Sequence, residues 1–331
     1  KWQNSTDGGA TWTDIANTAT TYTATNLIQT RRYRAVVQSG VCLPANSNEA
    51  IVTVDPVSIG GTIAGAATVC SGTNSTTLSL SGHTGTVQKW QNSTDGGATW
   101  TDIANTSTSY TATNLIQTTR YRAVVQSGVC LPANSNEAIV TVDQISVGGS
   151  IPGAATVCSG TNSTPLTLSG HTGTVQKWQS STDGGVNWTD IANTSITYTV
   201  VNLTQTTVYR AVVQSGVCLP ANSATATLTV NTPPVFTECP ATVVSFNTPS
   251  NSCTATGTYT VTATGTPAPS YTYTFTGATT GSSSGTGSGS VFNAGITNVK
   301  VTATNSCGSI DCNFQVSVTD NVLPVDRKSV V

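Results

Sequence analysis

Charge is what this chain has least of. Only 8% of its 331 residues are Asp, Glu, Lys or Arg, against about 25% in an ordinary soluble protein, and Thr, Ser, Asn and Gly make up the difference. Solubility therefore rests on uncharged polar groups. With a formal net charge of -2 and no Lys/Arg cluster interleaved with aromatics, no basic field draws in a phosphate backbone, which excludes nucleic acid as a partner. No apolar run approaches the ~20 residues that cross a bilayer as a helix, and no charged-then-apolar start reads as a signal peptide. Membrane insertion is thus not expected of these residues. Methionine is missing altogether; without an initiator, and opening in mid-pattern at Lys1, the chain is expected to come from a longer protein.

What is present repeats. The run K-W-Q-N-S-T-D-G-G at Lys1 returns at Lys89 and, slightly changed, at Lys177, a period of 88 residues, and residues 1–55 differ from 89–143 only at Ala19/Ser107, Thr21/Ser109 and Arg31/Thr119. A unit of this length is a self-contained domain rather than one layer of a solenoid. The expected division is a C-terminal part of a repeat at 1–55, complete repeats at 57–143 and 145–231, and a different domain at 233–320. Residues 321–331 would open a further unit. Within 57–143, alternating runs bounded by Gly, Asn and Asp predict strands at Ser58–Ile63, Thr76–Ser81, Val87–Asn92, Ala98–Ile103, Ser109–Asn114, Thr119–Gln126 and Glu137–Asp143. Seven short strands without helical periodicity predict an all-β fold of tandem immunoglobulin or fibronectin type III-like antiparallel sandwiches, beads on a string. Trp90, twenty residues after Cys70, and the L-x-x-x-T-x-Y pattern of Leu115, Thr119 and Tyr121 support it. Thr232-Pro233-Pro234 predicts a stiff extended joint, and the Gly/Ser/Thr-rich stretch Gly277–Ser290 a loop inside the last domain.

Nine cysteines stand at 42, 70, 130, 158, 218, 239, 253, 307 and 312. Two per complete repeat predict the pairs Cys70–Cys130 and Cys158–Cys218, each closing a loop worth roughly 4 kcal/mol in the chain-entropy model. The last domain is expected to pair Cys253–Cys307 and Cys239–Cys312. Cys42 corresponds to Cys130 and is expected to be unpaired by truncation. A disulfide framework implies an oxidising, extracellular or cell-surface location; zinc would need close His or Cys ligands that neither His83 nor His171 has.

The strongest short motif is S-x-D-x-G-x-T-W, at Ser93, Asp95, Gly97 and Trp100, repeated at Ser5–Trp12 and, with Asn187 for Thr, at Ser181–Trp188. It matches the Asp-box of sialidase-type propellers, where it mainly stabilises a turn, and predicts a structural hairpin here. A sialidase would also need an arginine cluster and a Tyr/Glu pair, which the chain lacks. General acid/base catalysis needs paired carboxylates, but the only acids common to all three copies flank this hairpin: Asp7/95/183 and Asp14/102/190. Glu49 and Glu137 become Thr225 in the third copy. No catalytic residue and no cofactor is expected. Calcium at domain junctions is the one weak candidate, through Asp55, Asp143 and Asp320, but each stands almost alone and Asp143 becomes Asn231, whereas calcium takes six or more oxygens. The Asn-x-Ser/Thr sequons at Asn74, Asn92, Asn105, Asn162 and Asn187 read as accidents of composition.

K-W-Q-N-S-T-D-G-G-A-T-W-T-D-I followed by T-T-R-Y-R-A-V-V-Q-S-G-V-C resembles the tandem Ig-like repeats of secreted and gliding-associated surface proteins of Bacteroidota. The resemblance covers 1–231. Residues 233–320 resemble a hyalin repeat (HYR) module, through Pro233-Pro234, Cys239-Pro240, Phe292–Val299, Cys307 and Cys312–Asp320. It implies a stalk or adhesin segment that presents distal binding domains, export by the type IX system, and other cell-surface proteins or surface glycans as partners. The alternative is accessory carbohydrate-binding modules of a secreted multidomain hydrolase, for which an exposed aromatic stripe would be the sign, with Trp90 expected inside and Trp100 capping the hairpin. Asp326–Val331 matches the in-frame translation of a common sequencing-adapter string and is read as an artefact.

Overall fold

The structure is a computed structural model that describes residues 1–250 and 252–321. The adapter-like tail Asp326–Val331, and all but the first residue of the expected further unit at 321–331, lie outside the described residues. Every regular element among those described is a β-strand. The chain divides into two compact units, Lys1–Ile145 with Ser215–Leu219, and Ser146–Gln214 with the residues from Pro220 onward.

In the first unit, the repeat 57–143 is a two-layer sandwich. One sheet has the order Ser109–Thr113, Ser75–Ser81, Thr62–Ala64; the other has Thr101–Ile103, Thr86–Ser93, Thr119–Gln126, Ala138–Asp143, Thr68–Cys70, with Ala133–Asn134 on the side of Thr119–Gln126. Alternation decides which side chains face inward: Leu78 and Leu80 from one sheet meet Trp90, Tyr121, Ala123, Val125 and Val140 from the other, all buried. Trp90 is fully covered, and its ring heads a row with Tyr110 at 5.9 Å and Tyr121 a further 5.5 Å on. Burial pushes the Tyr121 phenol up to about 12.

Three strands depart from the expected set, the two-residue Ala133–Asn134 among them. Thr68–Cys70 is a strand that pairs in parallel with Ala138–Asp143, in the register Thr141↔Thr68, Val142↔Val69, Asp143↔Cys70. The first expected strand is an isolated bridge, Ile59↔Thr84, followed by Thr62–Ala64. Three residues carry too little alternation to announce a strand, and parallel pairing leaves no turn signal between partners.

The second unit repeats this sandwich around Leu166, Trp178, Tyr209 and Leu228. Its last strand, Ala226–Glu238, runs through Pro233-Pro234 and pairs with Thr262–Thr266 in the following domain, with register shifts that accommodate two residues lacking an N–H. That domain has a sheet ordered Val244–Asn247, Gly308–Thr319, Gly295–Asn305, Ser270–Gly277, Gly281–Ser284, faced by Thr254–Gly257 with Ser290–Asn293. Its core is Phe275, Phe292, Val299, Val301, Phe314 and Val316. The stretch expected as a loop contains the strand Gly281–Ser284, folded back on Ser270–Gly277.

Candidate functional site

Two constellations recur with the repeat, a hairpin and a junction. In the hairpin, Ser93 Oγ donates to Asp95 Oδ1 (2.7 Å) and accepts from Gly97 N–H (2.9 Å), while Asp95 accepts from Thr99 N–H (2.9 Å) and from the Thr99 hydroxyl. Trp100 Nε1 donates to the Gly97 carbonyl at 3.0 Å. Every polar group of the motif is thus engaged with another part of the same turn. The Thr99 hydroxyl and amide and the Ser93 hydroxyl hold the Asp95 carboxyl well below the usual carboxylate range.

Arg122 lies over the Trp100 ring, 4.0 Å from its centroid, and its Nε donates to Gln91 Oε1 at 2.7 Å. Gln91 donates in turn to Asp102, which also pairs with Lys89. Arg122 in this layered strip occupies one face of Trp100. Arg34 over Trp12 and Arg210 over Trp188 repeat the arrangement at the same 4.0 Å. Glu137 pairs with Arg120 at 2.7 Å; in the third copy both partners change together, to Val208 and Thr225, so Glu137 is half of an exchangeable surface ion pair.

The junction constellation brings together residues that looked unrelated in the sequence. Cys70 is bonded to Cys218 and Cys158 to Cys307, while Cys239 is bonded to Cys312. The expected pairs Cys70–Cys130, Cys158–Cys218 and Cys253–Cys307 are therefore not those of the structure, and Cys42, Cys130 and Cys253 are free. Each leading cysteine reaches the turn cysteine of the domain that follows. The physical reason is the parallel strand: it sets Cys70 beside Asp143, the end of its own repeat, where the next turn cysteine arrives. Cys307 stands one period and one residue beyond Cys218 and takes the same part in the last domain.

Around that bond, Asp143 Oδ2 accepts from Val217 N–H at 2.9 Å, and the Cys218 sulfur lies 3.6 Å from the Asp143 carbonyl. One period earlier Asp55 Oδ2 accepts from Val129 N–H at 3.0 Å. The glycine of each S-G-V-C turn is required. Gly128 and Gly216 have φ of +50° and +46°, and a Cβ at either would sit 1.8 Å from the carboxylate oxygen of Asp55 or Asp143. These aspartates, weighed above as calcium candidates, are committed to backbone amides. Among the described residues no group of three or more His, Cys, Asp or Glu is placed to hold a metal. Asp320 is near Thr248, whose hydroxyl donates to it at 3.4 Å. The Asp–Gly–Cys junction was missed in the sequence, although the common 88-residue offset of Asp55/Asp143 and Gly128/Gly216 was visible.

A concavity on the sheet of the last domain is lined by Thr274, Asn298, Lys300, Thr302, Asn313 and Gln315. It presents no exposed aromatic ring.

A family model described as Domain of unknown function (DUF8696) matches residues 1–56, 59–144 and 147–232. No curated protein matches the chain. Among solved structures, an I-band fragment of titin, I67-I69, is 14% identical with a TM-score of 0.49, covering 81% of this chain and 100% of its own. Sidekick-1 immunoglobulin domains 1–4 are 15% identical with a TM-score of 0.33, covering 96% and 90%. The FN1-FN3 domains of chicken CNTN1 are 16% identical with a TM-score of 0.28, covering 78% and 98%.

Proposed function

The chain belongs to the family described as Domain of unknown function (DUF8696), three times in tandem, and we propose that it is a stalk segment of a large extracellular repeat protein, spacing and presenting binding domains that lie elsewhere. The observation that carries this reading is the junction: disulfides join successive domains instead of stapling each one internally. A bond inside a domain stabilises that domain alone, whereas a bond across the boundary constrains the array. Three disulfides fit an oxidising, extracytoplasmic compartment.

The finer reading, a Bacteroidota-type surface or secreted protein exported by the type IX system with a hyalin-type module at 233–320, is supported by the sequence motifs quoted above. Its partners would be cell-surface proteins or glycans, engaged by other domains. It is a non-catalytic reading, because the acids common to all three copies are bound up in the hairpin and its strip. The carbohydrate-binding alternative is disfavoured by Arg122, which covers a face of Trp100.

The test has two arms. Glycan arrays probed with the whole chain are expected to show no saturable binding. In the protein that carries it, exchanging residues 57–231 for two unrelated disulfide-bonded Ig-type repeats should preserve adhesion, and deleting them should weaken it. Saturable glycan binding abolished by Trp100→Ala would replace the stalk reading with the carbohydrate-binding one.

A further inference from the structure

Each complete repeat leaves one sheet edge open. The strand Ser109–Thr113 pairs with Ser75–Ser81 on one side only. Leu80 N–H donates to the Thr108 carbonyl at 2.7 Å and Asn114 N–H to the Asn74 carbonyl at 3.0 Å. In antiparallel alternation the even-numbered residues therefore aim their main-chain groups at Ser75–Ser81, and the odd-numbered ones aim theirs away. Of the odd set, Ser109 is capped: its N–H donates to the Ser107 hydroxyl and its carbonyl accepts from the Asn105 amide, both at 3.3 Å. Among the described residues, no hydrogen bond reaches the outward N–H or C=O of Thr111 or Thr113. In the following repeat, Leu168 N–H to the Ile196 carbonyl and Asn202 N–H to the Asn162 carbonyl set the same alternation. Ser195 and Asn193 cap Thr197, and Thr199 and Val201 are left open in the same way.

Sheet edges are ordinarily guarded by charge, proline or a bulge, and this edge has none of them. Neither Ser109–Thr113 nor Thr197–Val201 contains a charged residue or a proline, and neither pairing shifts register. The neighbouring strands Ser75–Ser81 and Ser163–Thr167 are uncharged as well. The edge of the other sheet differs: Thr101–Ile103 is three residues long and carries Asp102, ion-paired with Lys89. A two-fold axis makes an interface from the same patch on both partners, so a charged edge repels its own copy while an uncharged hydroxyl edge does not. Thr111 and Thr113 are exposed, and threonines facing each other across strands attract. The open main-chain groups and the absence of charge are separate observations, and both fit a second copy of the same edge.

We propose that this edge is a lateral docking site for a second copy of the chain, with Ser109–Thr113 adding antiparallel to the same strand of that copy. With Ala112 opposite Ala112, Thr111 faces Thr113 of the second copy, and each such pair exchanges both of its N–H···O bonds. This register uses only the uncapped groups and leaves Ser109 outside. Thr197–Val201 offers the same edge, with Val201 in place of Thr113.

The experiment follows the whole chain, its free thiols alkylated, by sedimentation equilibrium from micromolar to millimolar concentration, with amide hydrogen exchange read residue by residue by NMR. The proposal expects a reversible rise in mass from monomer towards dimer. In dilute solution Thr111 and Thr113 should exchange freely while Tyr110 and Ala112, bonded to Ser75–Ser81, are protected. In the dimer, Thr111 and Thr113 should slow by at least about tenfold. Thr111→Lys, Thr113→Lys, Thr199→Lys and Val201→Lys together change only exposed side chains and should hold the chain monomeric, as should the matching set of changes to Glu. Mixing the lysine and glutamate variants should restore a dimer, now with one copy of each. A chain that stays monomeric throughout, a dimer that the lysine variant keeps, or a mixture of the two variants that fails to associate would overturn the proposal. The stalk reading stands or falls separately, on the glycan and domain-exchange experiments above.

Discussion

Two stretches of this chain, residues 1–55 and 89–143, differ at only three positions, and they part company wherever a residue depends on the segment 57–88. Ser109–Thr113 is a strand because Ser75–Ser81 lies beside it; the matching residues 21–25 form no strand. The hairpins, by contrast, are the same to within the bond lengths: Gly9 and Gly97 both donate to their serine at 2.9 Å. The turns are held by their own side chains, whereas the strand Ser109–Thr113 depends on the strand beside it. One sequence thus separates the local part of its folding code from the tertiary part.

The sharpest way to test that division is through the cysteines. Converting Cys70 and Cys218 together to Ser opens a crosslink spanning 148 residues, and stability should fall by about 5 kcal/mol in the chain-entropy model, read from denaturant unfolding of the whole chain. Cys42→Ser should change nothing in the same assay. Next in size is the core. Trp90→Ala should cost about 3–5 kcal/mol, whereas Trp2→Ala, at the half-covered counterpart, should cost less than half as much; hydrogen exchange in the neighbouring strands distinguishes the two sites. Equal losses would mean that the first face is covered in solution.

The junction glycines give a smaller contrast. Gly128→Ala forces the Asp55 carboxylate off the Val129 amide and keeps an alanine at φ +50°, for a loss of about 3 kcal/mol. Gly40→Ala, with the same φ but nothing within 4 Å of the new Cβ, should lose only the backbone part, about 1–2 kcal/mol. The smallest expected difference is none. Asp7 and Asp95 are both held well below the ordinary 3.8, first by the threonine hydroxyl four residues on. A lowered folded-state pKa adds stability that is present above the ordinary value and lost as pH falls through the folded one. Carboxyl NMR titrations should therefore give Asp7 and Asp95 one common midpoint; separate midpoints would show that the two turns are not equivalent.

The period, the sandwich class and most strands were legible because they rest on alternation and turn residues, which are local. Trp90 and Thr119–Gln126 stand where those signals put them. Disulfide partners were not legible, since a strict period makes Cys130 and Cys218 equivalent by sequence and only the fold says which of them Cys70 can reach. The deciding element, Thr68–Cys70, is three residues long and parallel to its neighbour, and so has neither periodicity nor a turn to reveal it. The Asp55–Gly128 and Asp143–Gly216 contacts were hidden likewise, by a separation of more than seventy residues.

The two long disulfides enclose overlapping stretches of chain, 70–218 and 158–307, and this interlacing fixes how far the region can be drawn out. If every sandwich between Cys70 and Cys307 came apart under tension, the load would cross from Cys70 to Cys218, run back along the chain to Cys158 and cross again to Cys307. Only the 60 residues from 158 to 218 would then set the limit, about 200 Å of fully extended backbone in place of the roughly 800 Å available to an uncrosslinked chain. Unfolding would release little slack, so the segment would act as a tether whose reach is bounded by covalent bonds even after its folded domains have failed.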